Sequence, residues 1–203
     1  AKRYFDEIIN LAPNTDYGIA SKYYLGLILK NQKNRSKLNE VQNNFRFYLE
    51  NAPSGRHAYS VVKNWLEIAD SISKDDYLLM AKTCYLFGEY EQAEQLLQKT
   101  DIKKSWILSV KNSYKLKDYS KVKSYAEDGI QHYSYNVNED DIIEVIDIYN
   151  IVNPSGDLSA FATGKGRDYL ANLKCSKASQ NDKTECYSKL YMNYPQGRFS
   201  ADA

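Results

Sequence analysis

The fold class is decided by residues 77–97, which read Tyr77-Leu78-Leu79-Met80-Ala81-Lys82-Thr83-Cys84-Tyr85-Leu86-Phe87-Gly88-Glu89-Tyr90-Glu91-Gln92-Ala93-Glu94-Gln95-Leu96-Leu97. The first eleven residues place apolar side chains at the spacing of one helix face. The segment Gly88-Glu89-Tyr90 interrupts that pattern as a turn. Apolar positions resume at Ala93, Leu96 and Leu97. The stretch therefore predicts two helices joined by a short turn.

A second copy of this pattern lies about 29 residues further along the chain. It consists of a predicted helix over Trp106–Leu116, a turn at Lys117-Asp118-Tyr119 and a second helix over Ser120–Tyr133. We find no strand-like alternation of useful length. The chain therefore reads as a series of helix pairs.

The four prolines mark junctions of another kind, because each follows one apolar helical pattern and precedes the next. Proline ends a helix because it lacks an N–H, and a polar residue after it can cap the following helix. Two of the junctions, Ala52–Arg56 and Tyr194–Arg198, have nearly the same sequence. This similarity indicates an internal repeat. The prolines are Pro13, Pro53, Pro154 and Pro195.

These residues resemble the tetratricopeptide family of helical hairpins, whose units are about 34 residues long. The resemblance implies an all-α fold: a right-handed superhelix of antiparallel helix hairpins, that is, a tetratricopeptide-like α-solenoid. In such units small residues such as Gly26 let two helices approach. The turn over residues 30–37 is about three residues longer than this pattern requires. The best matching residues are Tyr77, Met80, Ala81, Cys84, Ala93 and Leu97.

The chain of 203 residues is interpreted as one helical-repeat domain over residues 1–203. Its first residues resemble the second half of a helix, and residues 197–203 resemble a helix that is beginning. We therefore expect this domain to be an excised fragment of a longer chain.

Composition restricts the classes of partner. Lys and Arg total 27 against 26 for Asp and Glu, a net charge of +1, which gives no reason to expect nucleic-acid binding. No stretch reaches the roughly 18–20 apolar residues of a membrane span, so we expect no direct membrane insertion. Two His and three Cys exclude a zinc-finger array and a disulfide-dense scaffold. We expect the partner to be a protein, and another repeat protein is one candidate.

Charge changes sign along the chain. Residues 30–56 carry six basic and two acidic side chains, and residues 67–94 carry seven acidic and two basic ones. Residues 101–133 carry seven lysines against four acids, and an acidic stretch follows. This alternation predicts that neighbouring hairpins attract each other, and it also favours a charged surface that orients a partner.

No pattern in the sequence predicts catalysis. Residues 163–167 (Thr-Gly-Lys-Gly-Arg) lack the first Gly and the final Ser or Thr of a phosphate-binding loop. His57 and His132 are isolated histidines. The acids of residues 139–141 are consecutive, which fits a helix N-terminus rather than a calcium loop. We expect no enzyme activity and no catalytic, cofactor-binding or metal-ligating residue.

Tyrosine is unusually frequent, with 19 residues. Tyrosine is enriched at interfaces because it offers a large area with few rotatable bonds and one polar end. Part of the excess follows from a compositional bias that also raises Lys and Asn. The candidate partner-binding residues are Tyr24, Tyr59, Tyr85, Tyr114 and Tyr149.

The cysteines bear on the compartment. Ten residues separate Cys175 from Cys186, and the middle of that stretch reads as a turn between two helices. Helices near a connecting turn approach within disulfide distance, so we predict a Cys175–Cys186 bridge and a buried free thiol at Cys84. A bridge favours the periplasm, and three free thiols in the cytoplasm are the alternative.

A helical-repeat array without a catalytic set is interpreted as a non-enzymatic protein–protein interaction scaffold. The Lys-, Asn- and Tyr-rich composition resembles periplasmic repeat proteins such as the paralysed-flagellum protein A group, which implies support of a flagellar motor stator. Two alternatives remain. Residues 53–56 resemble helix turns of soluble lytic transglycosylases, which implies the helical accessory region of an enzyme. Residues 194–203 resemble outer-membrane assembly and cell-division coordinators.

Overall fold

The computed structural model describes residues 1–68, 72–154, 161 and 166–199. Over these residues the chain is all-helical and contains no strand, which confirms the predicted fold class at this level. Two short 3-10 helices cover Arg35–Lys37 and Ser134–Asn136. The α-helices are α1 Lys2–Leu11, α2 Asp16–Asn31, α3 Leu38–Asn51, α4 Ala58–Leu66, α5 Lys74–Leu86, α6 Tyr90–Leu97, α7 Ile102–Lys115, α8 Tyr119–Tyr133, α9 Glu139–Val152, α10 Arg167–Ser176 and α11 Gln180–Asn193.

Backbone contacts divide the chain into two compact units. Unit 1 covers Ala1–Ser105 and unit 2 covers Trp106–Ala203, so the division falls inside α7. In unit 1, α2 packs against α1 and α3, α5 packs against α6, and α5 also contacts α3 and α4. In unit 2, α8 packs against α9 and α10 packs against α11. In each of these pairs except α3 with α5, the two helices follow each other in sequence.

Residues 77–97, with which the sequence analysis began, lie in α5 and α6 and in the turn between them. Helix α5 begins at Lys74, three residues before the first residue of that stretch, because the Ser73 hydroxyl caps it by accepting a hydrogen bond from the Asp76 amide at 3.1 Å. Asp75 and Asp76 in its first turn complement the helix dipole. A capped start with acids in the first turn explains why the helix extends beyond the apolar pattern.

The turns after α5 and α7 share one backbone form. Gly88 has φ 78° and Lys117 has φ 60°, both in the left-handed region. In the first turn the Glu89 amide donates to the Cys84 carbonyl at 2.9 Å, and in the second the Asp118 amide donates to the Ser113 carbonyl at 2.9 Å. This is the pattern of a Schellman helix end. The two turns lie 29 residues apart, as the sequence repeat predicts.

Lys117→Gly is expected to stabilise the protein by about 1 kcal/mol, because a side chain in the left-handed region is strained and glycine is not. Urea denaturation measures the change. Gly88→Ala at the equivalent position is the control: a Cβ there meets nothing within 4 Å, so its loss of stability reports backbone strain alone. A lower unfolding midpoint for Lys117→Gly would contradict this explanation of the turn.

The four proline junctions also share one backbone form. The residue before each proline ends its helix with φ between −149° and −134° and ψ between 58° and 62°, which avoids the helical region disfavoured before proline. These residues are Ala12, Ala52, Asn153 and Tyr194. At the first, second and fourth junctions the carbonyl of that residue accepts a hydrogen bond from the amide three positions later, at Thr15, Gly55 and Gly197. The prolines therefore mark one repeated structural junction.

Small residues let helices approach in both units. A Cβ on Gly26 of α2 would lie 2.6 Å from Cε1 of Phe45 of α3, so only glycine permits this packing. In unit 2, a Cβ on Gly129 of α8 would overlap the ring of Trp106 of α7. Phe45 and Trp106 are almost fully buried. The role predicted for Gly26 matches this geometry, whereas Gly129 was not recognised in the sequence.

Candidate functional site

The candidate partner-binding tyrosines differ in exposure. Tyr24 is 38% exposed, whereas Tyr59, Tyr85 and Tyr114 are half-buried. Tyr149 is only 2% exposed. The first four present some side-chain surface, and the fifth does not.

Tyr149 corrects the sequence-based set. Its ring packs against Phe161 with 4.7 Å between centroids, and its hydroxyl donates to Glu127 Oε1 at 2.5 Å and accepts from Asn153 at 3.1 Å. These contacts join α9 to α8, so the side chain fills an interior position. The interface role of Tyr149 was predicted from its residue type alone, whereas its side chain lies on the buried face of α9.

Five aromatic side chains gather at the Pro53 junction of unit 1, and we call them the aromatic cluster. The Tyr24 ring stacks on Phe5 with 5.4 Å between centroids, and the Tyr23 ring stacks on His57 at 4.6 Å. The Tyr24 hydroxyl and His57 Nε2 lie 3.2 Å apart and share a hydrogen bond. The Tyr48 hydroxyl accepts from the His57 amide at 3.1 Å. His57 thus organises a cluster whose exposed edge is Tyr24.

Tyr59 makes a second contact of this kind between α4 and α6. Its ring stacks on Phe87 with 5.9 Å between centroids, and its hydroxyl donates to Gln92 Oε1 at 2.9 Å. The ammonium group of Lys63 lies 4.3 Å from the centre of the Tyr59 ring, a cation–π contact. Phe87 is 40% exposed, so this contact also has a solvent-facing edge.

Both contacts join residues 33 apart in sequence. Tyr24 links α2 to the start of α4, and Tyr59 links α4 to α6. From the sequence His57 was interpreted as an isolated histidine. The 33-residue separation from a preceding tyrosine, which recurs between Tyr59 and Gln92, is the signal that could have identified this contact.

The alternating charges of unit 1 are paired across alternate helices. Arg46 of α3 donates two hydrogen bonds of 2.7 Å to the carboxylate of Asp76 of α5. Lys104 of α7 lies 2.8 Å from Asp75 of α5. Burial opposes ionisation of Asp76, but hydrogen bonds from Arg46 and Ser73 outweigh it and lower the pKa of this carboxyl. These contacts confirm the predicted attraction between neighbouring segments of opposite charge.

Unit 2 also contains ion pairs between alternate helices, at a similar separation in sequence. The ammonium group of Lys111 of α7 lies 3.2 Å from Asp141 and 2.7 Å from Glu144, both on α9. Asp141 belongs to the acidic first turn of α9, where Asn138 caps the helix by accepting from the Asp140 amide at 3.2 Å. The acidic stretch is therefore a helix N-terminus, as predicted, and it also pairs with a lysine of α7.

The structure shows which cysteines are bonded and where His132 lies. Cys175 in the last turn of α10 and Cys186 in the second turn of α11 form a disulfide with 5.4 Å between Cα atoms. Cys84 is a free, buried thiol, and burial together with the charge of Glu89 raises its pKa to about 12. Such a thiol holds almost no thiolate at neutral pH and is a poor nucleophile. His132 is exposed at the end of α8, 3.7 Å from Asp128.

Three further predictions concern sites and the membrane. Of residues 163–167, which were compared with a phosphate-binding loop, residues 163–165 lie outside the described residues. Gly166 precedes α10 and has a φ of 83°. Within the described ranges, no group of three or more His, Cys, Asp or Glu residues has the arrangement to hold a metal ion. No described helix is both long and apolar enough to cross a bilayer.

The His57 side chain makes stability depend on pH. Burial, with a smaller effect from the charge of Arg56, lowers its pKa below the usual 6.5. The folded state therefore binds this proton less readily than the unfolded chain. Stability is complete above about pH 6.5 and falls as the pH drops from there towards the lowered folded value.

His57→Gln is expected to reduce the loss of stability between pH 7.5 and pH 5.5, measured as the change in urea midpoint. His132→Gln is the control, because His132 is exposed. An equal pH dependence in wild type and His57→Gln would contradict the assignment.

Comparison of this chain with protein families, curated proteins and solved structures finds no match. The aromatic cluster and the Tyr59 contact offer stacking faces, phenol hydroxyls and one imidazole that favours its neutral form. Groups of this kind are suited to contact with both apolar and polar side chains, because an aromatic ring combines a large apolar face with a polar edge. We refer to the exposed side chains Tyr24 and Phe87, together with the half-buried Tyr59, as the aromatic surface.

Proposed function

We propose that this chain is a non-enzymatic protein–protein interaction scaffold. The observation that carries the proposal is the recurring separation of residues that join alternate helices in unit 1. Tyr24–His57 and Tyr59–Gln92 are 33 residues apart, and Arg46–Asp76 is 30 residues apart. Stacked helix hairpins produce contacts at one repeat length, and arrays of such hairpins present extended binding surfaces.

The proposed architecture is the tetratricopeptide-like right-handed superhelix of antiparallel helix hairpins. It is supported by the two repeated turn forms, one at the prolines and one at Gly88 and Lys117. The aromatic surface is the proposed binding region. Tyr24 and Phe87 expose 38% and 40% of their area, and aromatic residues are enriched where proteins bind each other. The partner is a protein, with another repeat protein as the first candidate.

The proposed location is the periplasm, in a bacterial envelope assembly such as the support of a flagellar motor stator. The Cys175–Cys186 disulfide favours an oxidising compartment over the cytoplasm. The second candidate function is the helical accessory region of a soluble lytic transglycosylase. The accessory-region candidate is favoured by the backbone form that the Pro53 and Pro195 junctions share. The sequence of the Pro53 junction resembles helix turns in the accessory regions of these enzymes.

Site-specific photo-crosslinking tests the scaffold proposal. Tyr24 is replaced by p-benzoylphenylalanine in the protein expressed in its native host, and the control places the same group at Tyr119 of α8, which is 47% exposed. We expect one discrete crosslinked protein from Tyr24 and none from Tyr119. Equal crosslinking at both positions, or none at Tyr24, would contradict a partner on the aromatic surface.

Assays of the full-length protein separate the two candidate functions. The scaffold proposal predicts that the complete gene product, whatever its length, cleaves no peptidoglycan. Release of soluble muropeptides by the full-length protein, retained after Tyr24→Ala, would favour the accessory region of a transglycosylase instead.

A further inference from the structure

The connection between α2 and α3 is longer than the turns after α5 and α7, and it contains a 3-10 helix of its own. It passes through Lys33, whose φ of 50° lies in the left-handed region, and continues into the 3-10 helix Arg35–Lys37. The Asn34 side-chain oxygen accepts from the Ser36 amide at 3.0 Å and from the Ser36 hydroxyl at 2.9 Å. The residues that break the sequence repeat therefore form an ordered structure.

This connection borders a cleft of about 360 Å³ in unit 1. Its apolar lining consists of Leu29 and Val41, each 2% exposed, and the half-buried Leu38. A cleft of this volume is at the lower end of the range for ligand sites and is large enough for one or two side chains.

The rim of the cleft is positively charged. Lys30 is held by Glu67 at 2.5 Å and by Asn64 at 2.6 Å. In contrast, Lys33 and Arg35 are exposed, and neither has an ion-pair partner within the part of the chain that the structure describes. Two cations that no described acidic residue pairs with, beside an apolar lining, complement a ligand that has a carboxylate next to an apolar group.

We infer that this cleft binds a partner protein segment in which a carboxylate lies next to an aliphatic side chain. The aliphatic group enters the cleft over Leu29 and Val41, and the carboxylate pairs with Lys33 and Arg35. The inference rests on the proposed scaffold function, because it describes one segment of the partner of that scaffold. It concerns a surface distinct from the aromatic surface.

Selection of phage-displayed 12-residue peptides on the immobilised protein tests the inference. We expect the enriched peptides to carry Asp or Glu within two positions of Leu, Ile or Val. In fluorescence anisotropy, Lys33→Glu with Arg35→Glu is expected to weaken binding of an enriched peptide at least tenfold, and 0.5 M NaCl is expected to weaken it as well. Peptides with the acid changed to its amide, or with the aliphatic residue changed to Ser, are expected to bind more weakly.

The matched control is Lys103→Glu with Lys115→Glu, which makes the same change in charge at two exposed lysines that are not among the residues lining the cleft. This control is expected to leave peptide binding within twofold of wild type. Enriched peptides without a carboxylate, or binding unaffected by Lys33→Glu with Arg35→Glu, would overturn the inference and leave the crosslinking test of the scaffold intact. Failure to enrich any peptide also overturns it, as does cleft-dependent binding to phosphatidylglycerol vesicles alone.

Discussion

Replacing Gly129 with alanine is expected to lower the free energy of unfolding of unit 2 by about 3 kcal/mol, at the upper end of typical overpacking effects. The added Cβ would overlap the face of the Trp106 ring. Trp106 is 1% exposed, so its ring has no free space into which it could move. The two helices would have to separate and lose packing along their contact. Urea denaturation followed by tryptophan fluorescence measures the change.

Two variants distinguish this clash from a general effect of adding a methyl group. Gly88→Ala adds the same methyl group where nothing lies within 4 Å, and its expected loss is about 1 kcal/mol from backbone strain. Trp106→Phe reduces the ring that Gly129 contacts, so Gly129→Ala is expected to be less damaging in that background. If Gly129→Ala destabilises no more than Gly88→Ala, the close approach of α7 and α8 is wrong.

Removal of the Cys175–Cys186 disulfide by Cys175→Ser with Cys186→Ser is expected to destabilise unit 2 by about 3 kcal/mol in the chain-entropy model. The bond closes a short connection between α10 and α11, whose cysteines are 11 positions apart. Leu190 is the one buried residue of α11, so few apolar contacts replace the bond when it is lost. Urea denaturation with and without reductant measures the effect, and the double variant should not respond to reductant.

Thiol counting provides an independent test of the bridge. Protein purified without reductant from the periplasm is expected to react with one equivalent of alkylating agent after denaturation, at Cys84, and with three after reduction. The native protein is expected to resist alkylation, because Cys84 is buried. Three reactive thiols before reduction would exclude the disulfide and remove its support for the periplasm.

Local features of this fold could be predicted from the sequence because they depend on neighbouring residues. The apolar spacing of residues 77–97 predicted both helices and the turn between them, and the prolines predicted their common junction. The positions at which helices begin could be predicted less accurately. The caps that extend α5 to Lys74 are polar residues outside the apolar pattern.

The site was harder to predict, since it depends on which helix faces meet. Tyr24 and Tyr149 are the same residue type on amphipathic helices, yet one faces solvent and the other faces Glu127 and Phe161. The alternation of charge predicted attraction between hairpins but did not identify Arg46 and Asp76 as a pair. Pairing at 30 to 33 residues depends on which helices pack against each other, and no short motif contains that information.

The separation of joined residues also has a consequence for folding during synthesis. Four side-chain pairs of unit 1 connect residues 29 to 37 positions apart, so each can form soon after its second partner leaves the ribosome: Tyr24–His57, Arg46–Asp76, Lys30–Glu67 and Lys104–Asp75. In unit 2, Arg198 pairs with Asp140 across 58 positions, and this contact forms only after Arg198 has been synthesised. Low sequence separation favours rapid folding, and nascent chains generally fold from the N-terminal side. Unit 1 is therefore expected to mature while unit 2 is still being made, which shortens the time that its apolar helix faces are open to aggregation.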